Sequence, residues 1–551
     1  RSSLTARDLF ESRLHTWNKV FTRRTHQAEE APKPAEVDLS EAVRVGVISI
    51  RQRDAPRATA PGLRALPGIA GAALAKLRPM PSSEIGDRRA VGDHSQVNEP
   101  VIAVIGGGAS GTLAAAHLAA SGRPMRLLMV EPGQVGRGIA YATSDHRHRL
   151  NVPAGRMSAW AGEPEHFVRW LRGHRHPCAT AATYAARADY GSYLADVLRT
   201  VSQLPQVRLT VLAARAVALA EHHEGLLLSL DRLPSRLIDH AVLALGTGDP
   251  DHRVVPTQLR GSDLYLPDPW VPDALRQVPG NGPVLLVGTG LTMADIVATL
   301  GGRAEQVIHA VSRHGRVPLG HAAAGAAALA PPVLPDGPIQ LGEARRIVID
   351  QVRRAVGAKR DWRAGIDSLR PVTTELFQRL SPEDQHRFLT GMASRWSVAR
   401  HRAEPETSQR LESARAAGSV RIHAGTIINV DVRDDHAMVG LSNGTTLRAS
   451  AVINCTGRSG NLLENPLIAQ LTHLGHARTG PFGIGLATDA DGRVLPVPGA
   501  PALPLWTLGP PRKGQLYEST AIPEVRAQAA SLARSINATL TAGHPRQAGR
   551  R

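Results

Sequence analysis

The stretch Val101-Ile102-Ala103-Val104-Ile105-Gly106-Gly107-Gly108-Ala109-Ser110-Gly111 decides the fold. Its five apolar residues are typical of a buried parallel strand, and Thr112 to Ser121 is then predicted to be helical. The glycines between them match G-x-G-x-x-G. In that pattern Gly106 permits a tight turn, Gly108 lets the backbone approach a pyrophosphate, and Gly111 lets helix and strand pack closely. We therefore predict a dinucleotide site, with Ala109 and Ser110 at the helix N-terminus facing the phosphates.

A second strand supports this interpretation. Met125 to Val130 is apolar and ends in Glu131, about 20 residues after the last glycine. A carboxylate at this place accepts hydrogen bonds from ribose hydroxyls. Two polar segments follow in positions expected to be loops, and we name Arg137 and Asn151 as candidates to contact the cofactor. Arg137 or Arg156 can balance negative charge and Asn151 can both donate and accept hydrogen bonds, although ordinary loop structure would explain them equally well.

A second strand-loop-helix unit begins at Pro283. Its strand leads into Gly288-Thr289-Gly290, but Met293 stands where the simple pattern has its third glycine. The next strand, Gln306 to Val311, ends in Ser312-Arg313-His314-Gly315-Arg316 without an acidic residue. Since arginines at this tip favour the 2′-phosphate of NADP, we predict NADPH, with NADH possible, and rank Arg313 before Arg316. Solvated arginines with no ligand are the alternative.

These units predict an α/β fold with two Rossmann-like domains of the glutathione-reductase type. Two apolar strands that end in Thr-Gly, at residues 240–248 and 451–457, bracket the second unit, and Gly457 is a further candidate for cofactor binding. We predict that the NAD(P) domain is inserted in the FAD domain and carries a helical insertion of its own. The expected ranges are a basic, largely disordered leader (1–98), FAD domain (99–265), NAD(P) domain (280–445), FAD domain again (446–540) and a disordered tail (541–551).

Composition excludes several function classes. The chain has 551 residues, 42% of them hydrophobic, and no stretch of 18 uncharged apolar residues, so no membrane span is expected. Its two cysteines, Cys178 and Cys455, leave no disulfide framework, CxxC redox pair or cysteine zinc site, and we predict no metal. The net charge of +17 would suit nucleic acid, but aromatic residues are only 3% and no reader motif is present. We expect a cytoplasmic protein without a nucleic-acid partner, and leave its oligomeric state open.

Beyond these motifs, the chain resembles the bacterial FAD-NAD(P)-binding protein family, which is distantly similar to flavin-dependent N-hydroxylating and Baeyer–Villiger monooxygenases. The resemblance implies that the last long helix points its N-terminus at the flavin, which makes Gly509 and Thr520 candidates, with Thr520 as the helix cap. It also implies that Arg400-His401-Arg402 could face the substrate or the nicotinamide, and a surface charge cluster is an equal alternative. The segments that carry it lie at 104–111, 136–141, 150–159, 288–295, 312–318, 396–403, 454–457 and 506–528.

Together these features predict an FAD-dependent oxidoreductase that takes electrons from NADPH. The resemblance favours a monooxygenase that acts on a small molecule with molecular oxygen as co-substrate. Two alternatives remain open: an NAD(P)H-dependent flavin oxidoreductase without oxygen insertion, and a non-enzymatic flavin-binding interaction or sensor protein. No catalytic residue can be assigned from the sequence.

Overall fold

A computed structural model describes residues 99–301, 306–322, 329–458 and 460–542. The predicted leader (1–98) and nearly all of the predicted tail lie outside the described residues. Thr541 is described, and it lies in the last helix rather than in a tail. Within the described residues, no helix combines the length and the apolar composition needed to cross a membrane.

The first domain is built on a parallel sheet with the order β16-β7-β1-β2-β3. Both faces of this sheet are covered, which explains why its central strands are runs of apolar residues rather than alternating patterns. Every residue of the first strand is buried. The strands are β1 (Val101–Ile105), β2 (Met125–Val130), β3 (Val207–Leu212), β7 (His240–Leu243) and β16 (Leu505–Thr507).

Helices cover one face of this sheet, and a small antiparallel sheet lies on the other. The longest helix, at the end of the described chain, packs on the helix that follows the first glycine loop. The helices of this domain are α1 (Ala109–Ala119), α2 (Gly138–Tyr141), α3 (His166–His174), α4 (Arg187–Ser202), α13 (Pro466–His473), α14 (Lys513–Leu516) and α15 (Ile522–Ala542). Of these, α13 lies on the other face, where it packs on the small sheet. The small sheet contains β4 (Ala216–His222), β5 (Gly225–Leu230) and β6 (Arg236–Ile238).

The second domain repeats this plan. Its parallel sheet has the order β11-β10-β9-β15-β8, and the three-stranded sheet β12-β13-β14 packs with it. The strands are β8 (Tyr265–Leu266), β9 (Val284–Val287), β10 (Ile308–Ser312), β11 (Val420–Ala424), β12 (Ile427–Val432), β13 (Ala437–Leu441), β14 (Thr446–Ala449) and β15 (Ala451–Asn454). Two helices precede β10, namely α5 (Thr257–Arg260) and α6 (Leu291–Leu300). The predicted fold class is confirmed.

The helical insertion lies between β10 and β11, as predicted. Its helices are α7 (Leu341–Gly357), α8 (Trp362–Ser368), α9 (Thr373–Gln378), α10 (Pro382–Arg387), α11 (Ala393–Arg400) and α12 (Pro405–Ala416), with a π-helical turn at Phe388–Met392. α12 returns the chain to the second sheet, where it packs on α6.

The sheet membership moves both predicted boundaries of the NAD(P) domain. Ala451–Asn454 was assigned to the returning FAD domain, but this strand pairs in parallel with β9 at the centre of the second sheet. Tyr265 was placed at the end of the first FAD segment, but the strand Tyr265–Leu266 pairs with β15 at the edge of the second sheet. Backbone hydrogen bonding to β9 and β15, rather than the apolar runs themselves, decides where these strands belong.

The chain enters and leaves the second domain at one place. Pro250 and Arg458 form an antiparallel bridge. The Arg458 guanidinium also donates to the carbonyl of Gly248 at 2.7 Å and to the Asp268 carboxylate at 2.6 Å. The two connections between the domains are therefore hydrogen-bonded to each other.

Candidate functional site

The first glycine loop is closed tightly between β1 and α1. Gly106 has a φ of +108°, and a Cβ there would lie 2.3 Å from the carbonyl oxygen of Ala244. A Cβ at Gly111 would lie 1.9 Å from the carbonyl oxygen of Gly106. Gly108 precedes α1, and its nearest neighbour is the Gly138 Cα, at 3.4 Å from a built Cβ. The loop thus has the compact turn and accessible backbone that a pyrophosphate at a helix N-terminus requires.

Glu131 lies beside this loop, at the carboxyl end of β2. Its carboxylate accepts from the backbone N–H of Gly107 at 2.8 Å and from that of Gly133 at 2.9 Å. Each carboxylate oxygen has a second lone pair, so these two bonds orient the group and leave it able to accept from ribose hydroxyls.

The segment after Glu131 packs on the glycine loop through a residue that the sequence analysis did not select. A Cβ at Gly138 would lie 2.9 Å from the Gly108 Cα, so only glycine fits there without a shift. The neighbouring Arg137 is half-buried, and its guanidinium donates to Ser192 Oγ in α4 at 3.3 Å. The Gly-Arg-Gly pattern at 136–138 was visible in the sequence, but its contact with Gly108 was not.

The loop with Asn151 connects the FAD domain to the helical insertion. The His321 ring lies 3.0 Å from the Asn151 carbonyl oxygen, and the Arg402 guanidinium donates to the other ring nitrogen at 3.3 Å. Burial and the charge of Arg402 lower the pKa of His321 to about 4. The contact uses the Asn151 backbone, whereas the Asn151 side-chain amide selected from the sequence makes no hydrogen bond to a described residue.

Gly509 lies against the first glycine loop, although 399 positions separate it from Ser110. Its φ is +76°, a Cβ there would lie 2.7 Å from Ser110 Oγ, and its N–H donates to Gln528 Oε1 at 2.8 Å. The predicted cap is wrong: α15 begins at Ile522, so Ala521 precedes it, and the exposed Thr520 lies one residue further away. Ser519 is the fully buried hydroxyl of this turn.

The second glycine loop has the geometry of the first. Gly288 has a φ of +111°, and a Cβ there would lie 2.6 Å from the carbonyl oxygen of Cys455. Gly290 precedes α6, and a Cβ there would meet no atom within 4 Å; the same holds for Gly457, whose φ is +87°. The third glycine is dispensable here, since Met293 is buried against the core.

Three arginines gather at the tip of β10. Arg313 and Arg316 were predicted, and Arg395 comes from α11 of the insertion. Burial lowers the pKa of the exposed His314, and the positive charges of Arg316, Arg313 and Arg395 add to this effect. Burial, and then Arg395, likewise lower the pKa of Arg316. Arg395 could not be predicted from the sequence, because its position depends on how the insertion folds back onto β10.

The Arg400-His401-Arg402 segment is not a surface cluster. Arg400 and Arg402 are both buried, and Arg402 donates to the Asp367 carboxylate at 2.6 and 2.7 Å. Arg400 pairs with Glu518 at 2.9 Å, which connects α11 to the turn that follows β16. Burial and the charge of Arg400 lower the pKa of His401 to about 3, so this ring is neutral at physiological pH.

A second ion pair connects the insertion to α15. The Arg370 guanidinium makes two parallel hydrogen bonds, both 2.9 Å long, to the Glu524 carboxylate. This bidentate geometry is stronger and more directional than a single contact. The insertion is therefore held to the FAD domain at the turn and helix that follow Gly509.

The dinucleotide helix of the second domain is held to the FAD domain by a buried pair. Arg187 lies 3.0 Å from the Asp295 carboxylate, and both side chains are largely buried. One turn along α6, Thr299 Oγ1 donates to Asp145 at 2.8 Å and contacts His148 Nε2 at 2.7 Å. Burial raises the pKa of Asp295, and Arg187 opposes that rise. Asp295 therefore takes part in domain contact as well as in the loop motif.

The two cysteines are far apart in sequence and both are free. Cys178 is exposed, whereas Cys455 is buried directly after β15, and burial raises the pKa of its thiol. A thiol with a raised pKa is a poor nucleophile at neutral pH. Cys455 therefore acts as a small buried residue of the second domain's core.

One group in the described part of the chain could hold a metal ion, although none was predicted. His222, His223 and Glu224 place ligand atoms within 4.8 Å of one another at the β4–β5 turn. Two of the three residues are exposed, and the group belongs to the small sheet rather than to either glycine loop.

Comparison with known proteins identifies the first domain. Residues 103–248 match a family model described as FAD-NAD(P)-binding. A search of curated proteins finds no match.

Solved structures share the fold at low identity. L-lysine 6-monooxygenase from Pseudomonas syringae is 15% identical, with 80% of this chain and 99% of that chain covered and a TM-score of 0.52. The cadaverine monooxygenase DfoA from Erwinia amylovora, solved with FAD, is 10% identical over 81% and 95%, with a TM-score of 0.54. Bacillithiol disulfide reductase from Staphylococcus aureus is 11% identical over 80% and 99%, with a TM-score of 0.48.

Proposed function

Since the chain is a flavoprotein of the oxidoreductase fold with an FAD-NAD(P)-binding domain at residues 103–248, we propose that it is an NADPH-dependent monooxygenase of a small molecule. The observation that carries the proposal is the second dinucleotide unit, with three arginines where the adenosine ribose of a bound dinucleotide would lie. FAD, when bound, would take two electrons from NADPH and deliver them to molecular oxygen.

The first domain supplies the FAD site. In the proposal, the N–H groups of the loop from Gly106 to Gly111 and the N-terminus of α1 bind the pyrophosphate, and Glu131 accepts from the ribose hydroxyls. Gly509 fits this site because its φ of +76° favours glycine and a Cβ there would lie 2.7 Å from Ser110 Oγ. Gly457 and Gly290 leave open space at the second loop, which fits a second dinucleotide there.

The choice of NADPH over NADH follows from charge. Arg313, Arg316 and Arg395 have no acidic partner among the described residues, and they repel one another. A 2′-phosphate would relieve this repulsion, whereas the ribose hydroxyl of NADH would not. Arg395 also makes cofactor selection depend on the insertion.

Two observations support oxygen as the acceptor. The chain has only two cysteines and they are not paired, so it offers no dithiol to receive electrons as a disulfide reductase would need. The fold is shared with the lysine and cadaverine monooxygenases, and we extend their oxygen chemistry, though not their substrates, to this chain. The insertion, held by Arg370 and Arg400, would exclude water from the reacting centre.

The test is anaerobic reduction of the flavin absorbance by NADPH and by NADH, followed by measured oxygen uptake. We expect NADPH to be preferred, and Arg395→Gln to reduce this preference about 10-fold or more, the cost of one charge-assisted hydrogen bond. The control is Arg346→Gln, which removes the same positive charge from an exposed position on α7. Equal rates with both nucleotides would refute the NADPH assignment. If the reduced flavin passes its electrons to a quinone dye but not to oxygen, the result would favour an oxidoreductase without oxygen insertion.

A further inference from the structure

The ion pairs around the insertion leave an excess of positive charge. Asp367, Glu518 and Glu524 are each held by one arginine, at 2.6 to 2.9 Å. Arg156 and Lys513 lie in the same region and have no acidic partner among the described residues. Lys513 is exposed, and its charge contributes to lowering the pKa of His401. Each of these acids is thus paired with one arginine, and Arg156 and Lys513 remain as cations without an acidic partner, although Glu518 Oε1 itself makes no hydrogen bond.

Arg156 is placed by a rigid backbone. It ends a 3-10 turn, Ala154–Arg156, which is fixed by N–H donation from Ala154 to the Thr183 carbonyl at 2.8 Å and from Gly155 to the Ala181 carbonyl at 2.9 Å. Arg156 is an exposed residue, and its guanidinium has no hydrogen bond to any described residue. Partial burial of the guanidinium lowers the pKa of Arg156, Arg370 adds to this effect, and Asp367 opposes it. An arginine stays charged at neutral pH, so its position against like charges is unfavourable until an anion is bound.

Buried donors without partners lie on the neighbouring helix. Trp396 and Arg400 are four positions apart, on one face of α11, and each is less than a tenth exposed. Trp396 Nε1 and Arg400 Nε make no hydrogen bond within the described structure, and neither does Oε1 of Glu518, the carboxylate that already accepts from Arg400. Arg400 Nε therefore has an unused acceptor on its own partner, whereas Trp396 Nε1 has no such acceptor. A buried N–H without an acceptor costs about 1–3 kcal/mol, so the Trp396 indole is the donor that a ligand would complete.

The nucleotides account poorly for these groups. The pyrophosphate of the first site belongs to the loop at 106–111, and the 2′-phosphate belongs to the arginines at the tip of β10. Arg156 instead faces Arg370, Asp367 and Arg400, which are residues of the insertion. This leaves the substrate as the source of the missing anion.

We propose that the substrate carries an anionic oxygen group, a carboxylate or a phosphate, and that Arg156 binds it, with Trp396 Nε1–H of α11 as a further contact. The inference rests on the proposed function only in taking the ligand to be the substrate. Arg156 and Trp396 are then residues that determine specificity, and an uncharged substrate of the same shape would bind less well.

The experiment is calorimetric titration of the FAD-loaded full chain with glutarate, benzoate and inorganic phosphate at constant ionic strength. Glutaramide and benzamide are the uncharged counterparts. We expect at least one anion to bind the unaltered chain about 10-fold or more tightly than its uncharged counterpart does. The affinity for that anion should fall about 10-fold or more in the Arg156→Gln variant. Arg156→Lys keeps the positive charge but not the planar guanidinium that can make two parallel hydrogen bonds. We expect a smaller loss of anion affinity in this variant than in Arg156→Gln. Trp396→Phe should weaken binding of the same anion several-fold, whereas Arg346→Gln should leave its affinity unchanged.

FAD content, melting temperature and reduction by NADPH are measured on the same variants, so that failure of the proposed function is seen separately. If none of the three anions binds the unaltered chain more tightly than the Arg156→Gln variant, the inference is overturned. If Arg156→Gln weakens adenosine 2′,5′-bisphosphate as much as it weakens the anion, Arg156 belongs to the nucleotide site instead.

Discussion

Gly111→Ala tests the first glycine loop most directly, because the structure gives the size of the clash. The added Cβ would lie 1.9 Å from the Gly106 carbonyl oxygen, whereas ordinary contacts begin at 3.4 Å, so the loop or the helix must move by about 1.5 Å. Gly111 lies in a helix, where alanine alone would stabilise by about 1 kcal/mol. Overpacking of a closed site costs about 1–3 kcal/mol, so we expect a net loss of stability of up to about 2 kcal/mol.

The same movement should displace the N–H groups that face the pyrophosphate. Loss of one hydrogen bond to a charged group costs about 1.5–3 kcal/mol, which corresponds to about a 10- to 150-fold rise in the Kd for FAD. The assay is FAD content per chain after purification, with the Kd of re-added FAD from flavin fluorescence. The control is Gly173→Ala in α3, where a Cβ meets no atom within 4 Å, and which should keep its FAD and gain stability. If Gly111→Ala binds FAD as tightly as Gly173→Ala, the close packing of strand and helix is not what shapes the site.

Glu131→Gln should raise the Kd for FAD about 10-fold, since a neutral amide accepts more weakly from a ribose hydroxyl; an unchanged Kd would remove Glu131 from the site. Burial and the charge of Arg402 lower the pKa of His321 to about 4, so protonation favours the unfolded chain, and stability present above pH 6.5 is lost as the pH falls toward 4. In urea titrations, His321→Asn should abolish about 2–3 kcal/mol of the decrease in the free energy of unfolding between pH 7 and 4.5. The control is His473→Asn at an exposed position, and an equal effect of that change would show that His321 is not the cause. Arg187→Ala should cost about 3–5 kcal/mol by leaving Asp295 buried and unpaired, and adding Asp295→Asn should restore most of it in thermal unfolding; no restoration would show that the pair is not the source.

The two glycine loops could be predicted from the sequence because each is a local structure. A buried strand, a turn that only glycine permits, and a helix follow one another within 20 residues, and the carboxylate of Glu131 lies at the end of the next strand. Their bounds agree with the structure to within about three residues.

The remainder of the site depends on contacts between distant segments. Arg395 joins Arg313 and Arg316 only after the insertion folds back, and Gly138 contacts Gly108 only through the packing of two loops. The sheet that takes Ala451–Asn454 is decided by its pairing with β9, which no apolar pattern specifies. The prediction of the helix cap was wrong for another reason. Three residues, Ser519, Thr520 and Ala521, directly precede Ile522, and composition alone does not determine which of them is the cap.

The meeting of the two domain connections has a consequence for how the protein is assembled from parts. Because Pro250 and Arg458 are bridged, the whole second domain is a loop whose two ends are adjacent. The first sheet is complete without it, since none of β1, β2, β3, β7 or β16 lies between those residues. The second domain is therefore an insertion with adjacent ends, although the Arg187–Asp295, Arg400–Glu518 and Arg370–Glu524 pairs also hold it to the first domain. A short linker from Pro250 to Arg458 would leave the first sheet covalently continuous, but it would leave Arg187, Glu518 and Glu524 without their ion-pair partners.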